Sequence, residues 1–332
     1  MQTVTPPLPF SLQTSLPTLD EIKQAQELVY SVMQPTPQIS WPLLCQRLGT
    51  DVWVKHENHT PIGAFKARTA IVYAAELFRR SSGIKGLITA TRGNHGQSVA
   101  LAARRFNVPA HVAVPFGNSA EKNAAMRAQG ANLIEFGNDY QESKEHAMRL
   151  AEEHGWHYVP SYHPDIVKGV ATYWLEFFSA VPDLDTVYVP IGQGSGICSC
   201  SAVRNGMNLK TKIVGVVAEG APAYALSFEA GHSVSAPVTT LLADGMACRV
   251  PDEASLEVVL KNVERVVRVS EEEIGAAMKI YFTDTHNVVE GAGASGLAAA
   301  VKEKSLLKGK RVGLVASGGN VDHDVFARVL AD

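Results

Sequence analysis

From about residue 51 onward, short β-branched runs alternate with longer stretches whose apolar positions recur at helical spacing, and this alternation predicts an α/β protein built on parallel sheets. Strands are expected at 51–55, 86–91, 110–115, 132–136, 186–191, 212–219, 265–270 and 311–317. Helical patterns fall between them: from Asn94 to Arg105, over 120–130, over 140–155, in SEEEIGAAMKIYF from Ser270, and in GASGLAAAVKEK. Gly130 and Gly155 sit where left-handed C-caps would end two of these. The closely spaced strands from Gly86 to about Tyr158 predict a separate small sheet, after which the chain returns to a larger one. Residues 1–18 carry four prolines and no period, and read as a loose arm or an oligomer contact.

Composition narrows the partners. At 332 residues the chain suits two domains, or one large domain carrying an insertion. Lys plus Arg number 30 against 33 Asp plus Glu, and the resulting charge of -3 leaves no electrostatic footprint for nucleic acid or an anionic membrane. No apolar run approaches the roughly 20 residues of a membrane helix, and the start lacks a basic segment followed by an apolar one. Four cysteines are too few for a disulfide scaffold, so a cytoplasmic home is expected.

In parallel α/β folds chemistry collects where strands end, and three glycine-rich segments compete for that role. Gly291-Ala-Gly293-Ala-Ser-Gly296 spells a dinucleotide fingerprint, but the next strand ends in Ser317-Gly-Gly-Asn320 rather than in a ribose-binding acid, so tight helix packing is the expected use. Gly192-Gln193-Gly194-Ser195-Gly196 follows an apolar strand and opens an apolar helix. Its backbone N–H groups and the helix dipole suit a single phosphate, and no Gly-Lys-Ser/Thr ending implies a triphosphate. The third segment, 317–320, offers a hydroxyl at the mouth of the sheet. A reactive partner is available in Lys66, flanked by Gly63, Ala64 and Phe65 at an expected helix start, where desolvation and helix N–H groups would lower an amine pKa. Taken alone, a lysine is more often a solvated surface charge.

Together, GAFKARTA around Lys66, TATRGNHGQSVA with Asn94, PIGQGSG at 190–196 and SGGN at 317–320 resemble, in order and spacing, the pyridoxal-phosphate enzymes of the threonine dehydratase and serine racemase family. The resemblance implies fold type II, similar to the tryptophan synthase β subunit: a large domain of residues 1–84 and 166–332, and a small one of 85–165. It implies that Lys66 forms the Schiff base with pyridoxal 5'-phosphate, Phe65 packs by the cofactor, Asn94 bonds the phenolic oxygen, and Gly192, Gln193, Gly194, Ser195 and Gly196 surround the phosphate. Glu290 would lie beside the cofactor and Ser317 would face the pyridine nitrogen; a neutral hydroxyl there favours β-elimination over transamination. Thr91, Gly93, Asn94 and His95 would hold a substrate carboxylate, with His95 equally suited to a structural bond in the turn. The implied activity is dehydration and deamination of a 3-hydroxy amino acid such as threonine, serine or 3-phenylserine, by a homodimer.

The departures from that family carry information. Two of its four phosphate-loop glycines are replaced by Gln193 and Ser195. Arg92 occupies the place of the serine that acts as second acid/base in serine racemases, and a permanently charged guanidinium cannot serve so; it either faces solvent or reaches the substrate pocket. Racemization, a β-replacement synthase and a non-catalytic binding protein are the alternatives. In the family's cation motif Glu219 is present and Ala223 could lend its carbonyl, but Ala225 replaces the second acid, so no metal is expected. Cys198 and Cys200 read as packing residues and His286 as a structural one, and twelve residues after Asn320 leave no room for a regulatory domain or isoleucine feedback.

Overall fold

The structure, a computed structural model, describes residues 16–331. The proline-rich arm lies outside them apart from its last three residues, where Thr18 caps the helix Leu19–Tyr30 in a capping box with Glu21. The strands are β1 (Gln38–Ser40), β2 (Asp51–Lys55), β3 (Leu87–Ala90), β4 (Ala110–Val114), β5 (Ala131–Glu135), β6 (His157–Tyr158), β7 (Thr186–Pro190), β8 (Lys212–Ala218), β9 (Arg265–Val269) and β10 (Arg311–Val315). They form a six-stranded sheet ordered β1-β2-β10-β7-β8-β9 and a four-stranded sheet ordered β5-β4-β3-β6. Only β1 on β2 is antiparallel. The chain therefore belongs to the α/β class with parallel sheets that its alternating pattern predicts.

Insertion of β10 between β2 and β7 decides where chemistry can gather. The segments leaving the C-terminal ends of those three neighbours lead to Lys66, to Ser317 and to Gly192, so residues up to 251 positions apart in sequence open onto one crevice. Their backbones are stitched together. Phe65 N–H donates to the Ser317 carbonyl at 2.9 Å, Gly319 N–H to that of Gly63 at 2.9 Å, and Ala64 bridges Gly318.

The helix that begins at Lys66 (Lys66–Arg80) is anchored by a buried charge cluster. Arg68 donates to Glu57 at 2.8 and 3.0 Å and to Glu176 at 2.6 and 3.0 Å, and Lys55 donates to Glu176 at 2.5 Å. Arg68, Glu57 and Lys55 are all 0% exposed, and two cations face two carboxylates, which is the balance that buried charges require.

The close-packing use expected of the 291–296 glycines is found within a helix rather than a loop, and a helix is added to those expected from the sequence. Gly291–Lys302 is helical from its first residue, so the 291–296 run is not a loop. A Cβ on Gly291 would sit 2.2 Å from the Leu242 carbonyl oxygen and one on Gly293 2.7 Å from Val289 Cγ1, so these glycines serve close packing. That added helix, Pro164–Ala180, carries a polar stripe of Asp165, Lys168, Thr172, Glu176 and Ser179, part of which faces the buried Arg68, while Trp174, Phe177 and Phe178 on its apolar side are 0% exposed.

Candidate active site

A cavity of about 1350 Å³ lies between the two sheets, lined by Lys66, Asn94, the 192–196 loop, Glu290 and Ser317 among others. Lys66 reaches it half-buried from the first turn of its helix. It makes no ion pair among the described residues, its amine lies 5.2 Å from the centre of the Phe65 ring, and burial pushes its pKa down to about 8.

The 192–196 loop turns its carbonyls outward and its N–H groups inward. Tyr224 Oη donates to the Gln193 carbonyl at 3.2 Å and Trp174 Nε1 to that of Gly196 at 3.1 Å. The N–H groups of residues 192–196 have no acceptor among the described residues. Gly194 has φ of +95°, and a Cβ there would meet Ser255 Oγ at 1.6 Å. Only glycine fits this turn. Ser195 then opens the helix Ser195–Gly206, adding its dipole to the N–H cradle. Behind the loop, Ser255 Oγ lies 3.0 Å from Tyr224 Oη, whose one hydrogen serves the Gln193 carbonyl, and accepts from Cys198 Sγ at 3.5 Å, so Cys198 packs and bonds within the wall. Neither Tyr224 nor Ser255 carries a motif visible in sequence.

Across the cavity, Asn94 begins the helix Asn94–Arg105 after β3. Its Nδ2 donates to both Glu290 oxygens at 2.9 and 3.1 Å, while its Oδ1 accepts from Asn320 Nδ2 at 2.7 Å. Burial, reinforced by the charge of Asp244, pushes the Glu290 carboxyl up to about 7. Gly93 N–H donates to Thr91 Oγ1 at 3.1 Å. His95 is buried with Nε2 3.4 Å from the Val159 carbonyl, which can only accept, so that nitrogen carries the hydrogen. Its Nδ1 is a buried acceptor without a partner among the described residues, and burial holds the ring neutral with a pKa near 3. Arg92 is exposed at the mouth, without an ion pair among the described residues, and also lines a neighbouring cavity of about 190 Å³. Ser317 is 8% exposed in the cavity wall, and its hydroxyl has no partner among the described residues. Glu219 lies instead 3.9 Å from Lys302 Nζ, remote from any cluster of metal-ligating side chains among the described residues.

Sequence reasoning names the residues at the strand ends and glycine loop of this wall but not the segment 235–250 that also lines it, nor its cross-sheet contacts. Lys122 donates to Asp244 at 2.5 Å, Ser119 to Asp322 at 2.6 Å, and Glu121 pairs with His323. Asn320 was visible within SGGN but had no assigned part.

An amine without a carboxylate partner, a turn of N–H groups without acceptors among the described residues, held by a glycine that admits no Cβ, and a hydroxyl without a partner among them, all on one cavity, fit a phosphorylated aldehyde cofactor that takes an amine at one end and a neutral contact at the other. The comparisons agree. Residues 29–318 match the family described as pyridoxal-phosphate dependent enzyme, and the chain belongs to it. Among relatives it is 36% identical over 314 residues to the L-threonine ammonia-lyase of Thermotoga maritima, covering 94% of this chain and 78% of that one. It is 33% identical over 318 residues to the L-threo-3-hydroxyaspartate ammonia-lyase of Saccharomyces cerevisiae, covering 95% and 97%. The processed threonine deaminase isoform 2 of Solanum lycopersicum superposes with a TM-score of 0.87 at 30% identity, over 95% of this chain and 94% of that one.

Proposed function

We propose that this chain is a pyridoxal-phosphate-dependent ammonia-lyase that eliminates water from a 3-hydroxy amino acid and yields a 2-keto acid and ammonia. The observation that carries the reading is the convergence of the Lys66 amine, the 192–196 N–H loop and the Ser317 hydroxyl on one cavity. Two relatives of which the chain covers 78% and 97%, both ammonia-lyases, support the same direction of chemistry.

Bound pyridoxal phosphate supplies the electron sink that lets an amino acid release its Cα proton. Lys66 Nζ would hold the cofactor and, when free, would take that proton; burial brings its pKa down to about 8, which leaves a useful fraction of neutral amine at physiological pH. The N–H groups of residues 192–196 and the Ser195 hydroxyl hold the phosphate. Asn94 donates to the phenolic oxygen, with Phe65 and Glu290 alongside. Ser317 would meet the ring nitrogen with a neutral hydroxyl, which would keep the sink shallow and favour elimination over transamination. Thr91 and the N–H groups that open the Asn94 helix receive the substrate carboxylate. Loss of the 3-hydroxyl as water gives an enamine that hydrolyses to keto acid and ammonia. Arg92, charged at every working pH, speaks against the second acid/base that a racemase needs.

The two-sheet layout supports the division into residues 85–165 and the remainder. The four free thiols suit the cytoplasm, and the family resemblance supports a homodimer, to be weighed by sedimentation. The test of function is keto-acid release from threonine, serine, 3-phenylserine and 3-hydroxyaspartate, with borohydride reduction and peptide mapping of the yellow protein. Keto acid from at least one substrate and label on Lys66 are expected. Label on another lysine would overturn the assignment.

A further inference from the structure

The orientation of the Asn94 amide is set by a chain of contacts that begins at the backbone. The Ile62 carbonyl can only accept, and an amide nitrogen of Asn320 lies 2.8 Å from it, so that nitrogen is Nδ2 and not the oxygen. The same Nδ2 lies 2.7 Å from the Asn94 amide, which must answer with Oδ1, because two NH₂ groups face to face would repel. Asn94 Nδ2 is thereby turned to Glu290 and the cavity, at 2.9 and 3.1 Å from the two carboxylate oxygens. Space is kept for the chain. A Cβ on Gly63 would come to 3.0 Å from Asn320 Oδ1, and one on Gly318 to 2.5 Å from Glu290 Oε1.

We propose that Asn320 is a positioning residue: it fixes the Asn94 amide so that a donor, and not an acceptor, faces the oxygen of the bound cofactor. The inference rests on the reading of the cavity as the pyridoxal-phosphate site. Glu290 occupies that donor in the absence of a competing acceptor, and its raised pKa keeps part of it protonated near neutral pH, which eases the exchange.

Replacing Asn320 with aspartate removes the donor and leaves acceptors only, which would pull the Asn94 NH₂ group round and aim Oδ1 at the cavity. The measurements are cofactor affinity of the apoprotein by fluorescence titration and the position of the visible absorption band. They are made on Asn320→Asp, Asn320→Ala, Asn94→Ala and the Asn320→Ala/Asn94→Ala pair, with melting temperature as the check on folding. Asn320→Asp and Asn94→Ala should each weaken affinity by about tenfold or more, the value of one ordinary hydrogen bond to the ligand. Both should move the band in the same direction, and Asn320→Ala should add little once Asn94 is gone. Should the aspartate variant fail to fold, Asn320→Ala and the pair decide alone. An altered band in Asn94→Ala with an unaltered band and affinity in folded Asn320→Ala overturns the inference, as do fully additive losses in the pair. Absence of any effect in Asn94→Ala overturns it too, and in that case borohydride label still found on Lys66 leaves the functional reading standing.

Discussion

Lys66 combines apolar Ala64 and Phe65 just before it, no carboxylate partner among the described residues and a cavity in front. Burial alone lowers its pKa to about 8, so the neutral nucleophile is the minor form at pH 7 and the major form above pH 8. Cofactor capture by the apoprotein should therefore speed up about tenfold per pH unit between pH 6 and 7.5 and level off above 8.5, as stopped-flow absorbance would record. A profile flat across that range would mean that the amine is not the reacting group. Arg92 is the other residue whose surroundings are informative, because it stands exposed and unpaired at the mouth. Its guanidinium can meet an aromatic or anionic substrate side chain, so Arg92→Ala should change the kcat/KM ratio of 3-phenylserine to serine by about tenfold, or ~1.4 kcal/mol. Equal losses for all substrates would assign it to the loop or to the common carboxylate.

At the scale of elements, the Lys66–Arg80 helix and the strands beneath it are held by charge as much as by apolar contact. Arg68 lies two residues after Lys66, so the buried cluster of Arg68, Glu57, Glu176 and Lys55 fixes the turn that carries the amine. Arg68→Met should cost about 3–5 kcal/mol in urea unfolding, since it strands two buried carboxylates against one lysine. Cofactor affinity should fall with it. A loss under 1 kcal/mol would show that the carboxylates find other partners or become protonated. Helix 291–302 illustrates the opposite design, a backbone pressed so closely on Leu242 and Val289 that its glycines admit no side chain.

For the whole molecule, the cavity exists because two sheets face each other, and besides the Asn94 amide the first turn of the helix Ala120–Ala128 carries bonds that span them. Of that turn's bonds, Lys122 to Asp244 is the one that lines the cavity itself. Asp244→Asn should leave the melting temperature within a few degrees, because the pair, 16% and 30% exposed, is still open to solvent at the cavity and contributes roughly 1 kcal/mol. It should raise amide exchange in residues 119–130 above that of the six-stranded sheet, and raise KM more than it lowers kcat. Uniform exchange across both sheets would refute a role confined to joining them.

Much of this was legible in order along the chain. Eight of the strands, the phosphate loop, the Lys66 helix start and the SGGN end all announce themselves through local spacing, because strand period, glycine turns and helix caps act over a few residues. The short β1 and β6 carry too few positions to show a period. The resemblance of four motifs supplied the cofactor before any geometry was seen. What only the tertiary structure decided is adjacency: that β10 enters between β2 and β7, that Asn320 turns Asn94, that Tyr224 and Ser255 back the glycine loop, and that Lys122 reaches Asp244. These contacts join residues tens to hundreds of positions apart, and no local propensity encodes them; they arise when apolar faces bury together and the polar groups carried along must find partners.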